Sequence, residues 1–180
     1  TGCSGHSKNL KFGAADIGGM YYSFASTFTQ LADKEIDGYT FETRTTAGSV
    51  ANLRLISDGY IDLAIVQADL LSDAYNATGA FTDKKYQKGY KAVASLYTEA
   101  YQIVVRNDSG ITSVDDLINK TVSVGASESG TEKNAEQILK MSGIADELIN
   151  KVNMDYTEAA AKLKNGDIDA FFCTAGTRTG

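Results

Sequence analysis

The sequence points to an α/β protein of two lobes, each a parallel-rich sheet flanked by helices. Three observations support this. Apolar runs of strand length alternate with segments whose apolar residues recur every three or four positions, from Leu10 to Gly176. One supersecondary unit occurs twice: "LRLISDGYIDLAIVQAD" (Leu53–Asp69) and "AAKLKNGDIDAFFCTAG" (Ala160–Gly176) each carry a helix end, a Gly stop, an Ile-Asp pair and an apolar strand. The length, 180 residues, suits one sizeable domain or two small lobes.

The elements follow in order. "NLKFGAA" is a short apolar run ending in small residues, a buried strand. After Gly18-Gly19, the spacing of Tyr21, Phe24, Ala25, Phe28, Leu31 and Ala32 marks one helix face. "YTFETRTT" alternates as a strand. Ser49 is placed to cap the next helix, whose apolar face includes Val50, Leu53 and Ile56. Gly59 stops it, "IDLAIVQ" is the next strand and "ADLLSDAYNA" a short helix. The polar stretch "TGAFTDKKYQKGY" breaks the alternation. Its basic part, Asp83–Lys91, reads as an exposed face or a partner-protein surface. "KAVASLYTEA" and "YQIVVRND" read as successive strands, "SVDDLINK" as a short helix and "TVSVGA" as a strand. A helix ending at Gly143 follows, then the strand "KVNMDY", the helix "TEAAAKLKN" and the strand "DIDAFFCTAG". Gly59 and Gly166 suit left-handed positions after their helices. Asp62 and Asp169 open strands, where their role is to satisfy backbone donors at the turn rather than to catalyse.

The net charge of −6 opposes nucleic-acid binding. It also means that an anionic ligand needs local attraction. Turns rely on 17 glycines, since the chain has no proline. The sole histidine, His6, lies in a polar N-terminal stretch, and the two cysteines, Cys3 and Cys173, are far apart. That leaves no Cys/His metal cluster, and no Ser-His-Asp triad unless the N-terminal stretch folds inward. "TGCSGHSKN" resembles the end of a bacterial lipoprotein signal, with Cys3 the lipidation candidate; a flexible tail with an incidental cysteine is the plainer reading. Cys173, in an apolar run, reads as a buried free thiol, with a bond to Cys3 left open.

Three helix starts are built alike, "DIGGMYY" (Asp16–Tyr22), "TTAGSVAN" (Thr45–Asn52) and "ASESGTEKN" (Ala126–Asn134). Each sets glycine beside hydroxyl or amide groups where a strand passes into a helix. Glycine admits a ligand close to the backbone, and a helix start offers unpaired N–H groups to an anion. Gly125 and Gly130 have the spacing of a phosphate loop, but Thr131 and Glu132 stand where Lys and Ser or Thr belong. A triphosphate is therefore disfavoured and a carboxylate favoured. The same residues, Ser129-x-x-Glu132, also form a capping box that any helix can carry for stability. Gln67 and Asp69 end a strand, within reach of a ligand amino group, and Asp69 could equally cap the next helix. Arg44 and Arg54 are candidates for pairing a carboxylate, or simply solvated.

The segments "FGAADIGGMYYSFAS", "TTAGSVANLRLISDGYIDLAIVQADL", "LYTEAYQIVVRNDSGITSVDDL", "KTVSVGASESGTEKNAEQIL" and "LKNGDIDAFFCTAG" together resemble the TAXI solute receptors of TRAP transporters. The resemblance implies a type II periplasmic-binding-protein fold: a tether over 1–9, a first lobe over 10–100, and a second, incomplete lobe over 101–180. It implies closure about Tyr97–Arg106, no enzymatic activity and no cofactor. It further implies an extracytoplasmic location and delivery of a small carboxylate or amino acid, glutamate-like, to a membrane permease. A sensory ligand-binding domain of a signalling system is the alternative. By position, the implied ligand-binding residues are Gly19, Tyr22, Gly48, Ser49, Asn52 and Gln67, with Ser127, Ser129, Gly130 and Thr131. Two departures accompany it: Arg178 stands where the family has proline, and family members continue well beyond position 180.

Overall fold

The computed structural model describes residues 8–82 and 89–176. Cys3, His6, Arg178 and most of the basic stretch Asp83–Lys91 fall outside the described residues. The chain divides into two compact units, residues 1–93 and 94–180.

Unit 1 contains β1 (Lys8–Gly13), α1 (Met20–Glu35), β2 (Tyr39–Arg44), α2 (Ser49–Ser57), β3 (Leu63–Ala64) and α3 (Ala68–Asn76). Its sheet runs β2-β1-β3, all parallel, with Lys8 opposite Tyr39 and Phe12 opposite Leu63. Alternate residues of β1 face opposite sides. Phe12 and the following Ala14 pack with Ala25 of α1 and Ile65. Gly13 faces the other way, where an added Cβ would stand 3.0 Å from Asn52 Oδ1 of α2. There Val50 and Leu53 pack with Leu70, Ala74 and Phe81. Helices α1 and α2 thus cover opposite faces. Strand β2 is an edge, and Asp33 of α1 accepts a hydrogen bond from the Phe41 N–H at 2.6 Å, blunting that edge.

Unit 2 contains β4 (Ala100–Val105), β5 (Thr121–Ser123), α4 (Gly130–Met141), β6 (Asn150–Val152), α5 (Tyr156–Asn165) and β7 (Ala170–Ala175). The order is β4-β7-β5-β6, parallel except for β4, which pairs antiparallel with β7. Ala170 and Phe172 pack toward Ala135 and Leu139 of α4, with Val122 of β5 beside them. Phe171, Cys173 and Ala175 pack toward Ala159 and Leu163 of α5. Cys173 is buried and free.

The echoed aspartates do one job twice. Asp62 donates its N–H to Lys11 O and accepts the Lys11 N–H on its carboxylate, each at 2.9 Å. Asp169 makes the same pair of bonds with Thr121, each at 2.8 Å. These clamps fix the register of β3 on β1 and of β7 on β5. Gly59 and Gly166 are left-handed, as expected.

Several expectations are corrected. Residues 91–99 form no strand. The expected strand in "YQIVVRND" is present as Ala100–Val105, held by β7. "SVDDLINK" is only a 3-10 turn at Asp115–Leu117, and "IDLAIVQ" gives a strand of two residues. On α1, Leu31 is 57% exposed whereas Thr29 is buried. The Thr29 hydroxyl meets Thr43 Oγ1 at 2.9 Å, which lets a polar residue face the sheet.

Candidate functional site

In open α/β sheets, a crevice forms at the carboxyl ends of adjacent strands whose connections leave to opposite faces. Unit 1 has this arrangement where the strand order reverses, between β1 and β3, followed by α1 and α3. In unit 2 the reversal lies between β5 and β7, with α4 and α5 on opposite faces.

In unit 1, short hydrogen bonds wire the rim. Thr46 Oγ1 donates to Ala14 O at 3.0 Å and accepts from the Gly48 N–H at 3.2 Å. The Asn52 amide donates to Ala14 O at 2.6 Å, to Ile65 O at 2.9 Å and to Gly13 O at 3.4 Å. Asn52 is fully buried, so it ties strand ends to α2 from within. Ser49 does not cap α2: Gly48 is the N-cap residue, at φ 123° and ψ −153°, a backbone that only glycine adopts freely. Ser49 Oγ instead accepts the Gln67 N–H at 3.1 Å, joining α2 to the start of α3. Gly48, Ser49, Asn52 and Gln67 are therefore brought together. Gly19 and the half-buried Tyr22 sit at the start of α1. Neither α1 nor α2 has a side-chain cap or an acidic residue in its first turn. Their first N–H groups, with the dipoles behind them, carry partial positive charge; just before α1 the Asp16 carboxylate accepts the Gly18 N–H at 3.2 Å and offsets part of it there. Asn52 Oδ1 and Gln67 Oε1 are buried acceptors without a hydrogen-bond partner among the described residues. Asp69 instead turns to its own helix, its carboxylate accepting the Leu70 N–H at 2.9 Å. Arg44 pairs with Glu42 at 3.0 Å on the surface.

Unit 2 differs. Ser129 caps α4 by accepting the Glu132 N–H at 3.0 Å, and Asp155 caps α5 by accepting the Glu158 N–H at 2.8 Å. Glu132 reaches back to the Glu128 N–H at 3.0 Å and accepts from the Asn153 amide at 2.9 Å. The capping-box reading is thus realised, with the returning bond placed one residue early. Glu128 is left-handed at φ 64°, a strained state for a side chain of its size. At Gly125, φ 96°, an added Cβ would lie 2.9 Å from Thr131 Cβ and 3.0 Å from Ser129 Oγ. Ser127 is exposed on the turn, while Ser129, Gly130 and Thr131 are buried. The Thr131 hydroxyl is hydrogen-bonded to Tyr156, whose Oη also accepts the Thr174 N–H and meets Thr174 O, each at 3.1 Å. Buried Asn134 donates to Tyr101 Oη at 3.1 Å and accepts from Thr174 Oγ1 at 3.2 Å. Burial pushes the Tyr156 hydroxyl up to about 12, opposed by its bond to Thr131, so it stays protonated and can both donate and accept. Burial, with Glu99 nearby, holds Tyr97 well above the usual phenol range.

Sequence reasoning passed over Thr46, Asn134, Asn153 and Tyr156. Thr46 had a local signal, a hydroxyl two residues before a turn glycine. Tyr156 had none, being 25 residues from Thr131 in the chain.

A profile of the NMT1-like family matches residues 12–180. Among solved structures, the alkanesulfonate-binding protein SsuA from Xanthomonas axonopodis pv. citri, bound to MOPS, is similar at 18% identity and TM-score 0.59, over 91% of this chain and 53% of that one. An ancestral arginine-binding protein bound to glutamine is similar at 17% identity and TM-score 0.61, over 92% and 69%. The cysteine-binding protein from Campylobacter jejuni is similar at 16% identity and TM-score 0.61, over 92% and 63%. The chain thus spans about half the length of the sulfonate-binding protein, 53%. These likenesses show an α/β fold of the periplasmic-binding-protein type.

Proposed function

We propose, from the premise that the chain belongs to the NMT1-like family, that it is part of an extracytoplasmic solute receptor that binds a small anionic molecule and catalyses no reaction. One observation carries this reading. In unit 1, α1 and α2 both begin without a side-chain cap, at Gly19 and Gly48, just beyond the ends of the adjacent parallel strands β1 and β2. The two starts supply local attraction for an anion on a chain of net charge −6. A charge-assisted hydrogen bond contributes about 1.5–3 kcal/mol, so a few of them outweigh the unfavourable global field. The ligands bound to two similar proteins, MOPS and glutamine, share an anionic sulfonate or carboxylate group. The solute of this chain is accordingly a small carboxylate or amino acid, with a glutamate-like molecule as the first probe.

In unit 1 the candidate solute-binding residues are Gly19, Tyr22, Gly48, Ser49 and Gln67, with Asn52 holding the strand ends beside them. In unit 2, taken by itself, the candidates are Ser127, Ser129, Gly130 and Thr131. The motif resemblance to TAXI receptors supports delivery of the solute to a TRAP-type membrane permease, and the likeness of "TGCSGHSKN" to the end of a lipoprotein signal supports a lipid on Cys3 as the anchor. No helix of the described residues is long and apolar enough to cross a membrane.

Calorimetric titration of the chain with L-glutamate, glutarate, L-glutamine, MOPS and, as an amine without an acid group, n-butylamine tests the reading. An anionic solute should bind, and Gly48→Ala should weaken it at least tenfold. Equal affinity for an amine lacking any acid group, or full affinity in Gly48→Ala, sinks it.

A further inference from the structure

We propose that Tyr156 is a positioning residue that fixes the first turn of α4, and the Thr131 hydroxyl in particular, against the carboxyl end of β7. The proposal rests on the reading that this turn takes part in solute binding. Strand β5 pairs with β7 only at Val122–Ala170 and Ser123–Phe171, then turns away toward α4. Beyond Phe171, β7 continues for four residues, to Ala175. On its other side it stays paired with β4, where Tyr101 faces Thr174. The Thr174 N–H and carbonyl both meet the Tyr156 hydroxyl, each at 3.1 Å. A phenol from the first residue of α5 thus takes the place that a neighbouring strand would occupy.

The same oxygen holds Thr131, so one hydroxyl joins α4, α5 and β7. A phenol has one proton and two lone pairs. One lone pair takes the Thr174 N–H. If the proton goes to Thr174 O, Thr131 donates to the phenol; if it goes to Thr131, the threonine proton is released toward the turn. Thr131 is held in both arrangements. Asn134, one helical turn further on, is bonded to the Thr174 side chain at 3.2 Å, so α4 has a second tie to the same β7 residue. The Tyr156 ring packs against the cluster of Ala159, Leu163 and Phe171, so removing only its oxygen leaves that packing in place.

The test uses the full chain with Tyr156→Phe, Thr131→Val and the double variant. Amide hydrogen exchange is read at Glu132 and Asn134, and L-glutamate is titrated by calorimetry. Tyr156→Phe should speed exchange at both amides several-fold and leave Leu163 in α5 unchanged, whereas general destabilisation would speed all three. Each single variant should weaken L-glutamate binding by roughly three- to tenfold, the equivalent of one net hydrogen bond, and the double variant should lose no more than the worse single. Unchanged exchange at Glu132 and Asn134, or losses that multiply in the double variant, would overturn the proposal. If the parent chain binds no L-glutamate while Tyr156→Phe still speeds exchange at those two amides, the positioning role stands and the glutamate reading of the site falls.

Discussion

Asn52→Leu isolates what a buried amide does for unit 1. Leucine matches asparagine in branching, though its methyl groups are bulkier, and can donate nothing. The amide now serves three carbonyls, at 2.6, 2.9 and 3.4 Å. Two keep another donor: Ala14 O retains Thr46 Oγ1 at 3.0 Å, and Gly13 O retains the Ile65 N–H at 3.2 Å. Ile65 O loses its 2.9 Å bond in a buried setting. Stranding one buried acceptor costs about 1–3 kcal/mol, and loss of the short bond to Ala14 adds about 1 kcal/mol. Removing Asn52 Oδ1, itself buried without a partner among the described residues, returns part of that. The net expectation is a loss of about 2–3 kcal/mol, a large share of the roughly 5–15 kcal/mol that holds a domain together. Equilibrium urea unfolding reads it directly: with a slope near 1.5 kcal/mol/M, the midpoint falls by about 1–2 M at unchanged slope. A loss under about 1 kcal/mol would show that Ile65 O finds another donor, and that Asn52 does not tie the strand ends.

Other expectations follow from particular residues. Gly125→Ala forces a Cβ to within 2.9 Å of Thr131 and into a φ of 96°, so about 2–4 kcal/mol of stability should be lost, measured by denaturant unfolding. In a Cys3→Ser chain, Cys173 should react with a thiol reagent only on unfolding, because burial raises its pKa and hides it; fast reaction of the native protein would contradict this. Asp116 is held below the usual carboxylate range by hydrogen bonds from the backbone and hydroxyls of Thr112 and Ser113. A depressed folded pKa contributes stability above the unfolded value, near 4, that is lost as pH falls through the folded one. Asp116→Asn should therefore flatten the stability profile below about pH 4, and an unchanged acid limb would show that these bonds do not favour the charged form.

The alternation of strands and helices, the left-handed glycines at 59 and 166, the strand-opening clamps of Asp62 and Asp169, and the cap at Ser129 were all legible in the chain alone. The alternation, the glycines and the cap depend on residues a few positions apart, so local chemistry suffices to read them; the aspartates' role was marked by the repeated unit, but their partners, Lys11 and Thr121, lie on other strands and were not. Contacts between distant elements settled the rest. They set β4 antiparallel on β7, left 91–99 without a strand, turned Leu31 outward and Thr29 inward, and moved Ser49 from capping α2 to holding Gln67. They also tied Thr131 to a tyrosine 25 residues away. In every such case the deciding partner lies on another element, and a hydrogen bond or a packed face between distant segments leaves no periodicity in the chain to mark it.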